Sequence, residues 1–422
     1  MLELKYIREN KEELIDRLKA RNYDATADVS AAIELDEKRR KTQFELDNQQ
    51  SELNKLSKEI GMLFKSGKQE EANAAKSKTT SLKASTQALK EKMNEVDKAL
   101  QEVLYKIPNR PNAIVPAGKT DEDNEIIFMN ERAKDLKNGA LPHWELTEKY
   151  NLIDFELGVK VTGAGFPIYR GKGARLQRAL INFFLDEAQK AGFEEFIPPH
   201  VVNEASGYGT GQLPDKEGQM YYMPEDDLYL IPTAEVPLTN MFRNVVLTEK
   251  DFPIKVCGYT PCFRREAGSY GKDVRGLNRL HQFDKVEIVQ IEHPEKSYET
   301  LDRMVEHVKG LLEKLELPYR VAKLCGGDLG FTAALTFDME VYSSAQEKWL
   351  EVSSISNFES FQANRLKLRY KTENGTKLAH TLNGSALALP RIVAALLENN
   401  QTENGVTIPK ALVPYTGFDI IN

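Results

Sequence analysis

Cys262-Phe263-Arg264-Arg265-Glu266 opens the stretch that decides the fold, and Arg279-Leu280-His281-Gln282-Phe283-Asp284-Lys285-Val286-Glu287-Ile288-Val289-Gln290-Ile291 closes it; a polar loop with glycines at 268, 271 and 276 lies between. Successive side chains of a strand face opposite ways. Arg264 and Glu266 are therefore expected on one face of the first arm, and Phe283, Lys285 and Glu287 on one face of the second. If the arms pair as a hairpin, one sheet surface carries cations, carboxylates and an aromatic ring. A half-buried strand ordinarily alternates apolar with polar residues to build a core. Charge on the alternating face of both arms is costly unless those groups meet a ligand or each other. A solvated sheet face with incidental ion pairs is the bland alternative.

At 422 residues the chain is long enough for two or three domains. Its 41% hydrophobic and 29% charged content are those of an ordinary globular protein. No apolar run reaches the length of a membrane span, and Met1-Leu2-Glu3-Leu4-Lys5 does not open a signal peptide, so a cytoplasmic protein with no membrane partner is expected. Three cysteines give no disulfide framework, and Cys257 and Cys262 lack Cys or His neighbours at zinc-ligand spacing. A net charge of −7 argues against a general nucleic-acid coat while leaving room for a local basic patch.

Such a patch is present in the N-terminal third. Leu46, Leu53, Leu56, Ile60 and Leu63 fall at heptad a and d positions, with Thr42 and Gln49 as weak members. Beyond Lys65-Ser66-Gly67-Lys68 a second series follows: Ala75, Thr79, Leu82, Leu89, Met93, Val96, Leu100 and Val103. Two heptad runs separated by a glycine-containing turn predict an antiparallel coiled-coil hairpin over about 31–104, within an N-terminal domain of residues 1–107. Arms of roughly 35 residues reach about 50 Å, and Pro108 and Pro111 end the second. From Leu53 to Lys92 there are nine lysines (55, 58, 65, 68, 76, 78, 83, 90, 92) against four glutamates (59, 70, 71, 91), a balance of 9 − 4 = +5. A charged coiled-coil exterior is commonly just a solvated face. The surplus of one sign favours a polyanion such as folded RNA, with Lys55, Lys58, Lys65, Lys68, Lys76 and Lys78 as candidate contacts.

Residues 108–140, rich in Pro, Asn, Gly and Asp, read as a linker, and 141–422 as the body. An amphipathic helix over 174–191 runs through Gly192 into a short strand stopped by Pro198-Pro199. This is either a subunit-interface element or an ordinary core helix and turn. Ile231-Pro232-Thr233-Ala234-Glu235 would place a hydroxyl and a carboxylate on one strand face, suited to an ammonium group; a surface turn is the alternative. Phe337-Asp338-Met339-Glu340-Val341 alternates as a strand. Trp349-Leu350-Glu351-Val352-Ser353-Ser354-Ile355-Ser356-Asn357 is another, rich in small hydroxyls. Carboxylate and hydroxyl oxygens suit Mg²⁺, but Glu351 and Ser354 have opposite parity and could share an ion only across a bulge. His380-Thr381-Leu382-Asn383-Gly384-Ser385 reads as a strand leading to an apolar helix. Pro390 is tolerable there only in the first turn, which puts Arg391 near its N-terminal end. There is no nucleophile elbow, P-loop or dinucleotide fingerprint. Arg, Glu, a hard cation and an aromatic ring fit phosphoryl or nucleotidyl transfer by positioning and charge neutralisation.

With these motifs in this order the chain resembles the seryl-tRNA synthetases, class II aminoacyl-tRNA synthetases of bacterial type. The resemblance runs from Ile7-Arg8-Glu9-Asn10 through the hairpin, Thr233-Ala234-Glu235, Phe263-Arg264-x-Glu266, Arg279-x-His281-Gln282-Phe283-x-Lys285-x-Glu287 and Glu351-Val352-Ser353-Ser354-x-Ser356-Asn357-Phe358 to His380-Thr381-Leu382-Asn383-Gly384-Ser385 and Arg391. It implies an α+β body, an antiparallel active-site sheet flanked by helices, carrying an N-terminal coiled-coil arm and assembled as a homodimer. It also implies a ligase using ATP, L-serine, Mg²⁺ and tRNA(Ser), with tRNA(Sec) left open as a further acceptor and no zinc. Arg264 would contact the α-phosphate and the serine carboxylate, and Glu266 the adenine amino group. Phe283 and Arg391 would cover the two faces of the ring. Thr233, Ala234 and Glu235 would line the ammonium site, while Glu287, Asn383 and Ser385 would surround the hydroxyl. Arg265, Val352 and Ser353 complete the ATP site, and Glu351 and Ser354 would hold the metal. Asn278 and Leu389-Pro390 depart from the family pattern. The loop 267–278 is expected to be mobile and to meet the acceptor end of tRNA. Two rivals are a ligase acting on a carrier protein, expected to lack a basic-tipped arm, and an inactive synthetase-like body, expected to have lost Arg264, Glu266, Glu351 or Arg391.

Overall fold

The computed structural model describes residues 1–215, 217–267 and 275–422; within the loop 267–278, residues 268–274 lie outside the described residues. The chain forms two compact units, one made of Leu2–Lys19 and Tyr23–Pro108, the other of Met1, Ala20–Asn22 and Asn109–Asn422.

In the first unit, α1 (Thr26–Lys65) and α2 (Gln69–Leu104) are packed along their lengths. Gly67, at φ +74°, makes the turn between them, a left-handed conformation that favours glycine. From Thr42 onward the seam of α1 runs through 42, 46, 49, 53, 56, 60 and 63, as the heptads predict, while nearer the root Val29, Ala32 and Asp36 are buried. In α2 the seam also takes in Thr86, a position the apolar spacing passes over. Its hydroxyl donates to Gln49 Oε1 (3.2 Å) while Gln49 Nε2 donates to Ser85 (3.0 Å), a polar layer that fixes register. Asp36 is buried at the root of the hairpin among Arg8, Arg39 (2.9 Å) and Arg40 (3.2 Å). Burial opposes its ionisation, but the hydrogen bonds and charges of Arg39 and Arg8 hold it below the usual carboxylate range. Lys55, Lys58, Lys65, Lys68, Lys76 and Lys78 are all exposed; Lys68 pairs with Glu71 and Lys78 with Glu52, each at 2.9 Å.

The second unit is built on eight strands: β1 (Glu125–Met129), β2 (Glu194–Glu195), β3 (Ile254–Phe263), β4 (Gln282–Glu292), β5 (Tyr319–Lys323), β6 (Leu335–Ser343), β7 (Lys348–Asn357) and β8 (His380–Ala388). Their order is β1-β5-β6-β7-β8-β4-β3-β2, and every neighbouring pair is antiparallel except β2 beside β3. Four of its helices bear on the site and its core: α3 (Gly171–Lys190), α4 (Glu235–Asn240), α5 (Ser297–Lys314) and α6 (Leu389–Asn399). Leu176, Leu180, Phe183 and Phe184 of α3 join Val308, Leu311 and Leu312 of α5 and Ile392, Leu396 and Leu397 of α6 in one core with Ile288, Met339, Ile355 and Leu382 of the sheet. That core buries the backs of the strands whose other residues build the site. The stretch read as a linker is part of this unit. Its Ile126-Ile127-Phe128-Met129 run supplies the edge strand, and Asn109 and Asn112 donate their backbone N–H groups to Phe331 and Ala334 carbonyls (2.9 and 2.8 Å). Polar composition marked it as a connection, yet its amides find partners along the body. Among the described residues no helix is long and apolar enough to cross a membrane.

Candidate active site

β3 and β4 pair as the hairpin expected, with Cys262 opposite Phe283 and Gly258 opposite Glu287. The first arm ends at Phe263, one residue short of the parity argument: Glu266 has φ +49° and lies outside the strand. Arg264 and Glu266 nevertheless turn back over the second arm. The Arg264 N–H donates to the His281 carbonyl (2.9 Å), its Nε donates to the Pro232 carbonyl (3.3 Å), and its guanidinium lies 5.2 Å from the Phe283 ring centre. Glu266 pairs with Arg279 at 2.9 Å. Arg265 is anchored by its N–H to the Gln219 carbonyl (2.9 Å). His281, stacked on Phe166, brings Nδ1 within 3.1 Å of the Arg264 carbonyl and 3.2 Å of the Tyr221 hydroxyl. These contacts fix a residue that otherwise leaves the strand unsupported.

Thr233-Ala234-Glu235 is not a strand, contrary to the expectation. It turns directly into α4, with Pro237 in the first helical turn, where a missing N–H costs nothing. Thr233 Oγ1 accepts the Glu235 N–H (3.2 Å) and donates to Glu287 Oε2 (3.1 Å). Ala234 packs with Leu238, Val256 and Val289 beneath the pocket. Lys285 and Glu287 do share a face: Nζ lies 2.6 Å from Oε2, and both are buried. In β8, Ser385 sits opposite Glu287 and Asn383 hydrogen-bonds Glu235. Glu235 is pushed up to about 7, first by burial and then by the Glu287 charge, against the hydrogen bond of Gln362. A Cβ at Gly258, opposite Glu287, would come within 2.7 Å of the Phe196 carbonyl oxygen, so the close approach of that backbone requires glycine.

The bulge that joint ligation required lies at Val352. Met339 of β6 faces Ser353 and Glu340 faces Glu351, so β7 carries one extra residue. Ser353 Oγ donates to the Ser385 carbonyl (2.6 Å), tying β7 to the strand beside Glu287. Asp338 lies opposite Ser354 and hydrogen-bonds it, but its Oδ1 is buried with no hydrogen-bond partner among the described residues. Burial, and next the Glu351 charge, push Asp338 well above the carboxylate range. Arg391 is near the start of α6, as expected. It donates Nη1 to the Glu351 carbonyl (2.6 Å) and Nε to the Asn278 carbonyl (3.2 Å), and stands 3.6 Å from the Glu351 carboxylate. No cluster of three His, Cys, Asp or Glu exists among the described residues. The oxygen set here is two carboxylates and a hydroxyl, and an orphaned buried carboxylate oxygen beside them fits a hard divalent cation.

Four participants carried no role in the sequence reading. Lys285 lay inside a quoted motif, and Asp338 was visible only as strand alternation. Gln362 comes from the short helix Phe361–Leu366, between motifs. The fourth is His143, buried with Glu398. The Leu277 N–H can only donate, so His143 Nε2 (2.8 Å) is unprotonated and Nδ1 carries the proton towards Glu398 (2.7 Å). That bond latches the return of the hairpin loop to α6, the helix that bears Arg391.

Residues 221–400 match the tRNA synthetase class II core domain (G, H, P, S and T), and residues 1–111 match the seryl-tRNA synthetase N-terminal domain. The antiparallel sheet and its charged hairpin are thus those of a class II synthetase body. A serine–tRNA ligase of Salinibacter ruber is 51% identical over 421 residues, 99% of this chain and 98% of that protein. One from a Sulfurovum species is 45% identical over 98% of this chain and 100% of its own. The crystal structure of seryl-tRNA synthetase from Pyrococcus horikoshii complexed with ATP gives a TM-score of 0.90 at 35% identity, covering 100% of this chain and 99% of that one. The cytoplasmic serine–tRNA ligase of Naegleria fowleri in complex with AMP gives 0.86 at 28%, with the same coverage. The chain belongs to the serine–tRNA ligase family.

Proposed function

We propose that the chain activates L-serine with ATP and transfers the seryl group to tRNA(Ser). The observation that carries this reading is the pair of buried carboxylates, Glu235 and Glu287, each with its own donors, in one pocket beside Arg264 and Phe283. Glu235 receives the serine ammonium. Glu287, with Thr233, Lys285, Asn383 and Ser385 around it, receives the side-chain hydroxyl, and an amino acid lacking that hydroxyl leaves it unmatched. The serine carboxylate attacks the α-phosphorus of ATP; the bond to the bridging oxygen breaks and pyrophosphate leaves. Arg264 stands where charge develops on the α-phosphate. Phe283 and Arg391 sandwich adenine while Glu266 accepts from its amino group. The ribose hydroxyl of tRNA then displaces AMP from the seryl carbonyl. Glu351 and Ser354, with Asp338 behind them, would hold Mg²⁺, which when bound offsets phosphate charge.

The exposed lysines of α1 and α2 grip the tRNA, and residues 1–107 act as the RNA-binding module of a cytoplasmic enzyme whose catalysis lies in 141–422. Two copies pair through the segment after α3, where Ile197 is 87% exposed. The test is ATP–pyrophosphate exchange against a panel of amino acids, followed by charging of total tRNA. Serine alone should support exchange, and only serine-accepting tRNA should be charged; exchange driven equally by alanine or threonine overturns the assignment. The metal assignment has its own test. Glu351→Gln should raise the Mg²⁺ concentration needed for half-maximal exchange by about tenfold or more, as loss of a metal-site carboxylate typically does. An unchanged Mg²⁺ dependence removes Glu351 from the metal site.

A further inference from the structure

Gln362 belongs to no motif of the site, yet its amide is held from three directions. Nε2 donates to Glu235 Oε1 (2.7 Å) and to the Thr210 carbonyl (3.2 Å), and Oε1 accepts from Thr381 Oγ1 (2.7 Å). The Thr210 carbonyl can only accept, so the amide nitrogen must face it. The same nitrogen then faces Glu235, and the orientation cannot reverse without setting oxygen against oxygen. Gln362 itself is 1% exposed, so no water substitutes for it. Glu235 therefore meets an obligatory donor, which stabilises the ionised acceptor and fixes one carboxylate oxygen in place.

We infer that Gln362 is a positioning residue for amine recognition, holding Glu235 oriented so that the carboxylate can take the substrate ammonium. The inference rests on the proposed serine site. The charged groups that act on Glu235 are Glu287 and Lys285 of β4; Asn383 of β8 adds a hydrogen bond. Burial and Glu287 set Glu235 near 7, so the acid limb of kcat/KM for serine reports the free enzyme's Glu235. Removing a donor to the ionised form raises that group further, and the limb must move to higher pH.

The experiment measures serine-dependent pyrophosphate exchange against pH for the full chain and for Gln362→Met, which keeps volume and removes the donor. KM for serine should rise about tenfold, roughly the worth of one hydrogen bond to a charged group. The acid limb should move upward, while KM for ATP stays within about twofold. Glycerate, which keeps the carboxylate and side-chain hydroxyl of serine but has a neutral hydroxyl in place of the ammonium, separates positioning from general damage: its inhibition constant should weaken much less than KM for serine. Gln362→Asn, which withdraws the amide by one bond, should move the limb in the same direction and serves if the Met variant does not fold. An unmoved limb in a folded variant overturns the inference, as does equal weakening of serine and glycerate. If wild-type enzyme does not activate serine at all, the site assignment itself falls.

Discussion

Glu287→Ala is expected to lower kcat/KM for serine in pyrophosphate exchange by about 100- to 1,000-fold, because it strands a buried lysine and removes the acceptor for the substrate hydroxyl. Lys285 Nζ, 2.6 Å from Glu287 Oε2, and the Thr233 hydroxyl, 3.1 Å from the same oxygen, both lose their partner. ATP affinity should change little, since Phe283, Arg264 and Arg391 are untouched. Glu287→Gln keeps the shape and an acceptor oxygen, so it should fall between wild type and alanine if recognition is at issue. Serine-dependent exchange at near-normal rates in the alanine variant would sink the pocket assignment. ATP binding lost in parallel would show damage to the hairpin in place of a serine-specific defect.

Excising residues 43–92 and joining the stumps with a short turn should separate the two half-reactions. Gln49 contacts Ser85 and Thr86, so these endpoints face one another across the hairpin. The cut also keeps the root intact, with Asp36 among its arginines and Leu100 and Leu104 buried. Adenylate formation should remain within about twofold. Charging efficiency should drop on the order of a thousandfold at physiological salt, because phosphate contacts by several lysines are lost together. The remaining charging should also depend less steeply on salt. A shortened enzyme that charges tRNA normally would remove the arm from RNA recognition.

What could be read from the sequence divides along physical lines. Periodic burial was legible: from Thr42 onward the seam of α1 follows the heptads, and Lys285 and Glu287 share a face by strand parity. Parity failed where the chain left the strand, at Glu266 with its positive φ and at Glu235, which opens a helix. Parity also showed that Glu351 and Ser354 could share an ion only across a bulge, and β7 carries a bulge at Val352. Composition misled at 125–129, where polar neighbours hid an apolar edge strand. Asp338, Gln362 and His143 escaped notice because each acts through partners distant in the chain, and no local pattern encodes those. Thr86 was passed over since its hydroxyl breaks an apolar repeat while still filling the seam.

The orphaned oxygen of Asp338 and the like charges of Glu235 and Glu287 also bear on how long the protein lasts in a cell. Among the described residues, Lys285 is the one cation paired directly with any of these three buried carboxylates. On the proposed assignment, a serine ammonium or a divalent ion would bind the folded form alone and stabilise it by mass action. The fraction of molecules open to proteolysis then rises when serine or nucleotide is scarce, since degradation tracks the unfolded population. Abundance of the enzyme would then follow the supply of its own substrates.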